Sequence, residues 1–166
     1  MNRIEKIHTD DPKIFYSYVN LKLTGLICEE EDWLANLSNA SALLYYLMEE
    51  INWAGFYLMK NQELVLGPFQ GKPACTHIEL GKGVCGTAAE TSKPQIVKDV
   101  HLFEGHIACD EASQSEIVIP MMKNEKLVGV LDIDSPVKNR FNETDRKHLE
   151  RFAEILMKYT DIPEFY

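Results

Sequence analysis

Apolar side chains along the chain change spacing twice, from helical to extended and back. From Asp32 to Ile51 the apolar positions Trp33, Leu37, Ala40, Leu44, Leu47 and Ile51 recur at intervals of three and four, the stripe of an amphipathic helix. The acidic run Glu29–Asp32 lies at its start, where negative charge complements the helix dipole. An earlier helix is predicted over Pro12–Ile27, with Pro12 suited to a first turn and Phe15, Val19, Leu23 and Leu26 on one side. The period then becomes extended. Trp53–Met59 and Glu63–Phe69 flank the turn Lys60-Asn61-Gln62 and read as a hairpin. Thr76–Leu80 is a short strand, Thr87–Thr91 a brief helix before Pro94, and Gln95–Lys98 a further strand. Glu116–Met122 and Lys126–Asp134 form a second hairpin around Lys123-Asn124-Glu125. Asn142, with Asp145 three residues on, caps a last helix that turns Leu149, Phe152, Leu156 and Tyr159 inward and stops before Pro163.

Helices bracketing hairpins imply an α+β fold, a central antiparallel sheet with the N- and C-terminal helices on one face and loops on the other. With no repeat or Pro/Gly/Ser-rich linker, residues 1–166 are expected to form a single domain. Asp99–Ser115 shows no periodicity and carries His101, His106, Cys109, Asp110 and Glu111, a long loop of the kind that carries function.

Charge narrows the partners. Seventeen basic against 26 acidic residues give a net charge of -9, which disfavours nucleic acid and anionic membrane surfaces because both need clustered Lys and Arg. No run of about 18 apolar residues is present, and MNRIEKIHTDDP lacks the apolar core of a signal peptide, so a cytoplasmic protein is expected. There the four cysteines, Cys28, Cys75, Cys85 and Cys109, would be reduced at rest rather than staples.

Gly81-x-Gly83-x-x-Gly86 has the letters of a dinucleotide fingerprint, but the short helix after it and the hairpins around it argue against the parallel unit that motif requires. The loop instead places Cys85 at a helix N-terminus, where the dipole would lower a thiol pKa towards neutrality. Cys75, Cys85 and Cys109 all fall in connections between elements. They suit a thiol relay, or a metal site completed by His77, His101 or His106, although no Cys-x-x-Cys knuckle announces zinc.

By the two-residue period Val128, Val130, Asp132 and Asp134 share one strand face, and Glu116 opens the adjoining strand at the same end. Either this is a solvated strand end or the three acids converge on a pocket, where mutual repulsion demands a cation or a proton. A protonated carboxyl beside a reactive thiol is a general acid. Trp53 fills the core or walls a small apolar group.

In Asn52-Trp53-Ala54-Gly55-Phe56-Tyr57, Gly67-Pro68-Phe69-Gln70-Gly71-Lys72-Pro73-Ala74-Cys75 and Gly81-Lys82-Gly83-Val84-Cys85-Gly86-Thr87-Ala88 the chain resembles free methionine-R-sulfoxide reductases, a family of single GAF domains. The likeness continues through Ala108-Cys109-Asp110, Ser113-Gln114-Ser115-Glu116-Ile117-Val118-Ile119-Pro120 and Gly129-Val130-Leu131-Asp132-Ile133-Asp134-Ser135. It implies that Cys109 attacks the sulfoxide sulfur and becomes a sulfenic acid as methionine leaves. Cys75 or Cys85 then forms a disulfide that thioredoxin reduces. It also implies that Glu116, Asp132 and Asp134 bind the substrate ammonium and assist protonation of the sulfoxide oxygen, while Trp53 packs on the S-methyl. The R preference and a homodimer follow from the same resemblance; no cofactor or metal is expected. Helix position alone favours Cys85 as the low-pKa thiol, whereas the resemblance assigns the attack to Cys109. The competing function is a GAF sensor that holds a small ligand or a redox signal without catalysis.

Overall fold

The computed structural model describes residues 3–105 and 110–163. Helices α1 (Pro12–Ile27) and α2 (Trp33–Leu47) precede the hairpin β1 (Trp53–Lys60)–β2 (Glu63–Gly71) and the short strand β3 (His77–Glu79). Helix α3 (Gly83–Thr91), strand β4 (Gln95–Val97) and a 3-10 turn at Val100–Leu102 lead to the second hairpin, β5 (Ser115–Lys123)–β6 (Lys126–Ser135), and to α4 (Glu143–Tyr159). Among the described residues one six-stranded sheet forms in the order β3-β2-β1-β6-β5-β4, antiparallel at every pairing. No helix of the described residues is long and apolar enough to cross a membrane.

Each element begins and ends for a local reason. Asp11 and Asp32 accept hydrogen bonds from first-turn amides of α1 and α2. Asn142 and Asp145 form a reciprocal capping box at α4. Both hairpins close on two residues of positive φ, Asn61-Gln62 and Asn124-Glu125, the backbone twist that suits a tight antiparallel turn. The stripe predicted through Ile51 ends earlier: α2 stops at Leu47, and Glu50 takes a positive φ that redirects the chain into β1.

The sheet separates two cores. On one face α1, α2 and α4 pack Val19, Leu23, Leu37, Leu44, Leu149 and Phe152 against Phe56, Leu58, Ile117, Leu131 and Ile133. On α1 the buried positions are Tyr16, Val19, Leu23 and Ile27, with the expected Phe15 and Leu26 only half-buried. On the opposite face α3 packs Val84, Cys85, Ala88 and Ala89 against Trp53, Tyr57, Val118 and Val130. One position departs from the simple pleat. A register irregularity between Met121 and Met122 turns Val128 towards the helical face, whereas Val130 packs on the other, so Val128 does not share the face of the acids.

The glycines before α3 serve the backbone. Gly81 and Gly83 have φ of +77° and +61°, a region that favours glycine. A Cβ on Gly86 would lie 2.4 Å from the Glu79 carbonyl oxygen. Close passage of α3 over β3 therefore accounts for the Gly-x-Gly-x-x-Gly letters, and the antiparallel sheet lacks the parallel unit of a dinucleotide site.

Candidate active site

Strand register gathers the acids. Glu116 on β5 pairs directly with Asp134 on β6, and Val118 with Asp132, so the three carboxylates meet on the sheet face that α3 covers. β1 adds Trp53 and Tyr57 to the same face by the two-residue period. Helix α3 begins at Gly83, four residues earlier than the sequence pattern predicts, and so holds Cys85 in its first turn. The cavity there, about 40 Å³, is lined by Trp53, Tyr57, Cys85, Glu116, Asp132 and Asp134, with Lys72, Lys82, Gly83, Val84, Asp110 and Ser113 around them. It is far smaller than the several hundred Å³ typical of sites for larger ligands.

Three of its polar groups are deeply buried. Cys85 is 4% exposed, Glu116 and Asp132 6% each, and Asp134 is half-buried. The Cys85 thiol points its Sγ at Glu116 Oε1, 3.9 Å away. Oδ1 of Asp132 has no hydrogen-bond partner among the described residues. Burial pushes the carboxyls of Glu116, Asp132 and Asp134 well above the usual carboxylate range, and their mutual repulsion adds to it.

The same surroundings reverse the expectation for Cys85. Burial, followed by the charges of Asp132, Glu116 and Asp134, pushes its thiol up rather than towards neutrality. A helix terminus contributes only about 0.3–1 kcal/mol at ordinary sites, too little against desolvation and three acids. Cys85 is therefore a neutral thiol that needs a base.

Trp53 stacks between Tyr57, 5.9 Å between ring centroids, and Phe69, 5.2 Å. Its indole N–H donates to the Lys72 carbonyl at 3.1 Å. The Tyr57 hydroxyl donates to the Cys75 carbonyl at 3.1 Å, which fixes the β2–β3 connection beside the cavity. Cys75 is half-buried and packs against the cluster that contains Cys85. Cys28 is exposed just beyond α1 and takes no part in the cavity. Cys109 and His106 lie outside the described residues.

Residue Asp110, immediately after that segment, is anchored at the cavity rim. Lys72 Nζ donates to it at 3.1 Å and Asn52 Nδ2 at 3.2 Å. The Ala112 amide, then Lys72 and Asn52, hold its carboxyl below the usual range. Asn52 also donates to Ser113 Oγ at 3.0 Å. Tyr57, Lys72, Asn52 and Ser113 escape a search for reactive residue types, although Tyr57 follows from Trp53 by the strand period. The other three meet only through contacts between distant segments. The histidines proposed for a metal are engaged elsewhere, His77 with Glu63 at 3.0 Å and His101 with Asp99 at 2.9 Å. Among the described residues the metal-capable donors that converge are Cys85, Glu116 and Asp132, whose ligand atoms lie within 4.8 Å of one another.

The raised carboxyls have a consequence for stability. Between the ordinary carboxyl range, near pH 4, and their raised folded values, the folded chain holds more protons than the unfolded chain, so their contribution falls as pH rises through that window. Asp99, held at about 2 chiefly by Lys138 and then His101, and Asp110 act in the opposite sense, but only below about pH 4. The urea midpoint of the ligand-free protein is expected to rise as pH is lowered from about 8 to about 5.5. The Glu116→Gln variant should show a shallower slope; equal slopes would mean that Glu116 does not titrate in this window.

An antiparallel six-stranded sheet with α1, α2 and α4 on one face, and α3 with the site on the other, is the architecture of a GAF domain. The GAF domain family model matches residues 40–157. The chain is 49% identical over 155 residues to the free methionine-R-sulfoxide reductase of Escherichia coli, covering 92% of this chain and 94% of that one. It is 48% identical over 146 residues to the free methionine-R-sulfoxide reductase of Saccharomyces cerevisiae, covering 83% and 81%. The X-ray structure of the Neisseria meningitidis free methionine-R-sulfoxide reductase in complex with its substrate superposes with a TM-score of 0.91 at 40% identity, covering 96% of this chain and 95% of that one. The chain belongs to the free methionine-R-sulfoxide reductase family.

Proposed function

We propose that this protein is an oxidoreductase that reduces free L-methionine (R)-sulfoxide to L-methionine, with thioredoxin as the final reductant. The observation that carries the reading is the meeting of Cys85, three carboxylates and Trp53 in one small cavity, in a chain of this family. The substrate ammonium supplies the positive charge that Glu116, Asp132 and Asp134 lack among themselves. The first-turn residues Gly83 and Val84 border the cavity, and the N-cap residue Lys82 makes no side-chain capping bond, so the α3 N-terminal amides are placed to receive the substrate carboxylate. Trp53 and Tyr57 pack on the S-methyl group.

A carboxyl that burial keeps protonated delivers its proton to the sulfoxide oxygen. Cys109 attacks the sulfur, methionine leaves, and Cys109 becomes a sulfenic acid. Cys85 or Cys75 then attacks the sulfenic sulfur, water leaves, and a disulfide forms. The neutral state of the Cys85 thiol supports Cys109 as attacker. Glu116, 3.9 Å from the Cys85 sulfur, is placed to take its proton in the second step. Cys75, less buried than Cys85, is the thiol better placed to pass oxidation on to thioredoxin.

The whole chain, residues 1–166, forms one GAF domain on this reading, because α1, which precedes the matched segment, shares its core with α2 and α4. The protein is placed in the cytoplasm, as its sequence leads one to expect, and the family resemblance implies a homodimer. Blocking the ammonium tests the pocket. N-acetylmethionine sulfoxide is expected to be reduced with a kcat/KM lower by about 10²-fold or more, since a buried carboxylate left without its charge partner costs about 3–5 kcal/mol. Equal rates on the free and acetylated substrates would overturn the assignment of the acids.

A further inference from the structure

The acids and thiol that suit an ammonium also form a set of metal donors. Cys85 offers one sulfur, Glu116 and Asp132 one oxygen each, and the three atoms lie within 4.8 Å of one another in a buried cluster. Two ligands of a tetrahedral zinc ion, a thiolate at about 2.3 Å and a carboxylate oxygen at about 2.1 Å, stand about 3.6 Å apart. The Cys85 Sγ–Glu116 Oε1 separation is 3.9 Å, so small side-chain adjustments bring both to bonding distance. Oδ1 of Asp132 is buried at the cavity without a hydrogen-bond partner among the described residues. A thiolate with two carboxylates suits a borderline-soft ion such as Zn²⁺, whereas Ca²⁺ and Mg²⁺ need more oxygen ligands than are gathered here.

We propose that the reduced protein binds one Zn²⁺-class cation through Cys85, Glu116 and Asp132, in the place that the substrate ammonium takes, so that ion and substrate exclude each other. The exclusion rests on the ammonium pocket proposed above; the metal site itself does not. Binding forms a Zn–S bond and releases the Cys85 thiol proton to solvent, with any proton held between Glu116 and Asp132. No electrons move. The ion caps Cys85, which blocks disulfide formation there and shields the thiol from oxidation until a competing chelator removes it.

Cobalt titration of the reduced, metal-free full-length protein provides the test, because a cobalt–thiolate bond gives a charge-transfer band that oxygen ligands do not. One equivalent of Co²⁺ should produce the band and Zn²⁺ should displace it. The band should persist when Cys28, Cys75 and Cys109 are all replaced by Ser, which leaves Cys85 as the only thiol. It should vanish in Cys85→Ser, with Zn²⁺ affinity reduced by more than about 100-fold, beyond the loss of an outer-shell partner. Glu116→Gln and Asp132→Asn should each weaken Zn²⁺ at least about 10-fold while keeping a native near-ultraviolet circular dichroism spectrum. A band retained in Cys85→Ser, a band absent from the folded three-serine variant, or unchanged Zn²⁺ affinity in both carboxyl variants would overturn the site. In the three-serine variant, which lacks the attacking thiol and so cannot oxidise Cys85 by turnover, free methionine sulfoxide should raise the apparent Zn²⁺ dissociation constant, and no change would overturn mutual exclusion. Sulfoxide turnover by the metal-free protein, measured separately, tests the proposed function independently of these results.

Discussion

Replacing Cys109 by Ser is expected to abolish release of methionine from free methionine sulfoxide in the absence of any reductant, slowing it by about 10⁴-fold or more. Removal of a covalent nucleophile elsewhere has cost up to about 10⁶-fold, and a serine hydroxyl at neutral pH offers no comparable reactivity. The assay separates the thiols because the first step consumes only the attacking sulfur. Cys85→Ser and Cys75→Ser should each still release one equivalent, since sulfenic acid formation precedes disulfide formation. The structure sharpens this expectation. Burial first, and then the neighbouring acids, keep the Cys85 thiol protonated, which makes it a poor first attacker and a suitable second one. Full single-turnover activity in Cys109→Ser would transfer the attack to another thiol. Cys28→Ser, at an exposed position outside the cavity, serves as the unaffected control.

The second large effect carries opposite signs on activity and stability. Glu116→Gln or Asp132→Asn should lower kcat/KM by about 10²- to 10³-fold, because an ammonium held in a buried pocket without its counter-charge loses about 3–4 kcal/mol. The same substitutions should stabilise the ligand-free protein at pH 8. Each carboxyl there is pushed well up by burial and by a neighbouring acid, so at pH 8 its ionisation works against the fold. A gain of about 1 kcal/mol raises the Tm by roughly 2–4 °C for a domain of this size. A merely structural role for these acids would move activity and stability downwards together. Opposed changes identify carboxylates held against the fold's preference for the sake of a cationic ligand.

Much of this architecture is legible in the sequence because it depends on local period. The spacing from Trp33 to Leu47, the two-residue turns at Asn61-Gln62 and Asn124-Glu125, and the Asn142–Asp145 box each specify their element without help from distant residues. The strand period and the second hairpin also suffice to place Glu116 beside Asp132 and Asp134. Other features depend on partners far away in the chain. Lys72 and Asn52 look unremarkable until the fold brings Asp110 to both, 38 and 58 residues distant. The expectation of a low Cys85 pKa considered only its helix. The residues that decide its protonation stand on β5 and β6, and the desolvation comes from the packed face between them. A bulge displaced Val128 for a related reason, since alternation along a strand holds only while the register is unbroken.

Thioredoxin-coupled NADPH consumption with racemic free methionine sulfoxide separates a stereospecific reductase from a binding module. Oxidation of NADPH is expected to proceed and to stop when about half of the sulfoxide has been consumed, the unreacted half being the S epimer. No consumption above the no-enzyme rate would contradict the reductase and favour a GAF domain that binds a small ligand without turning it over.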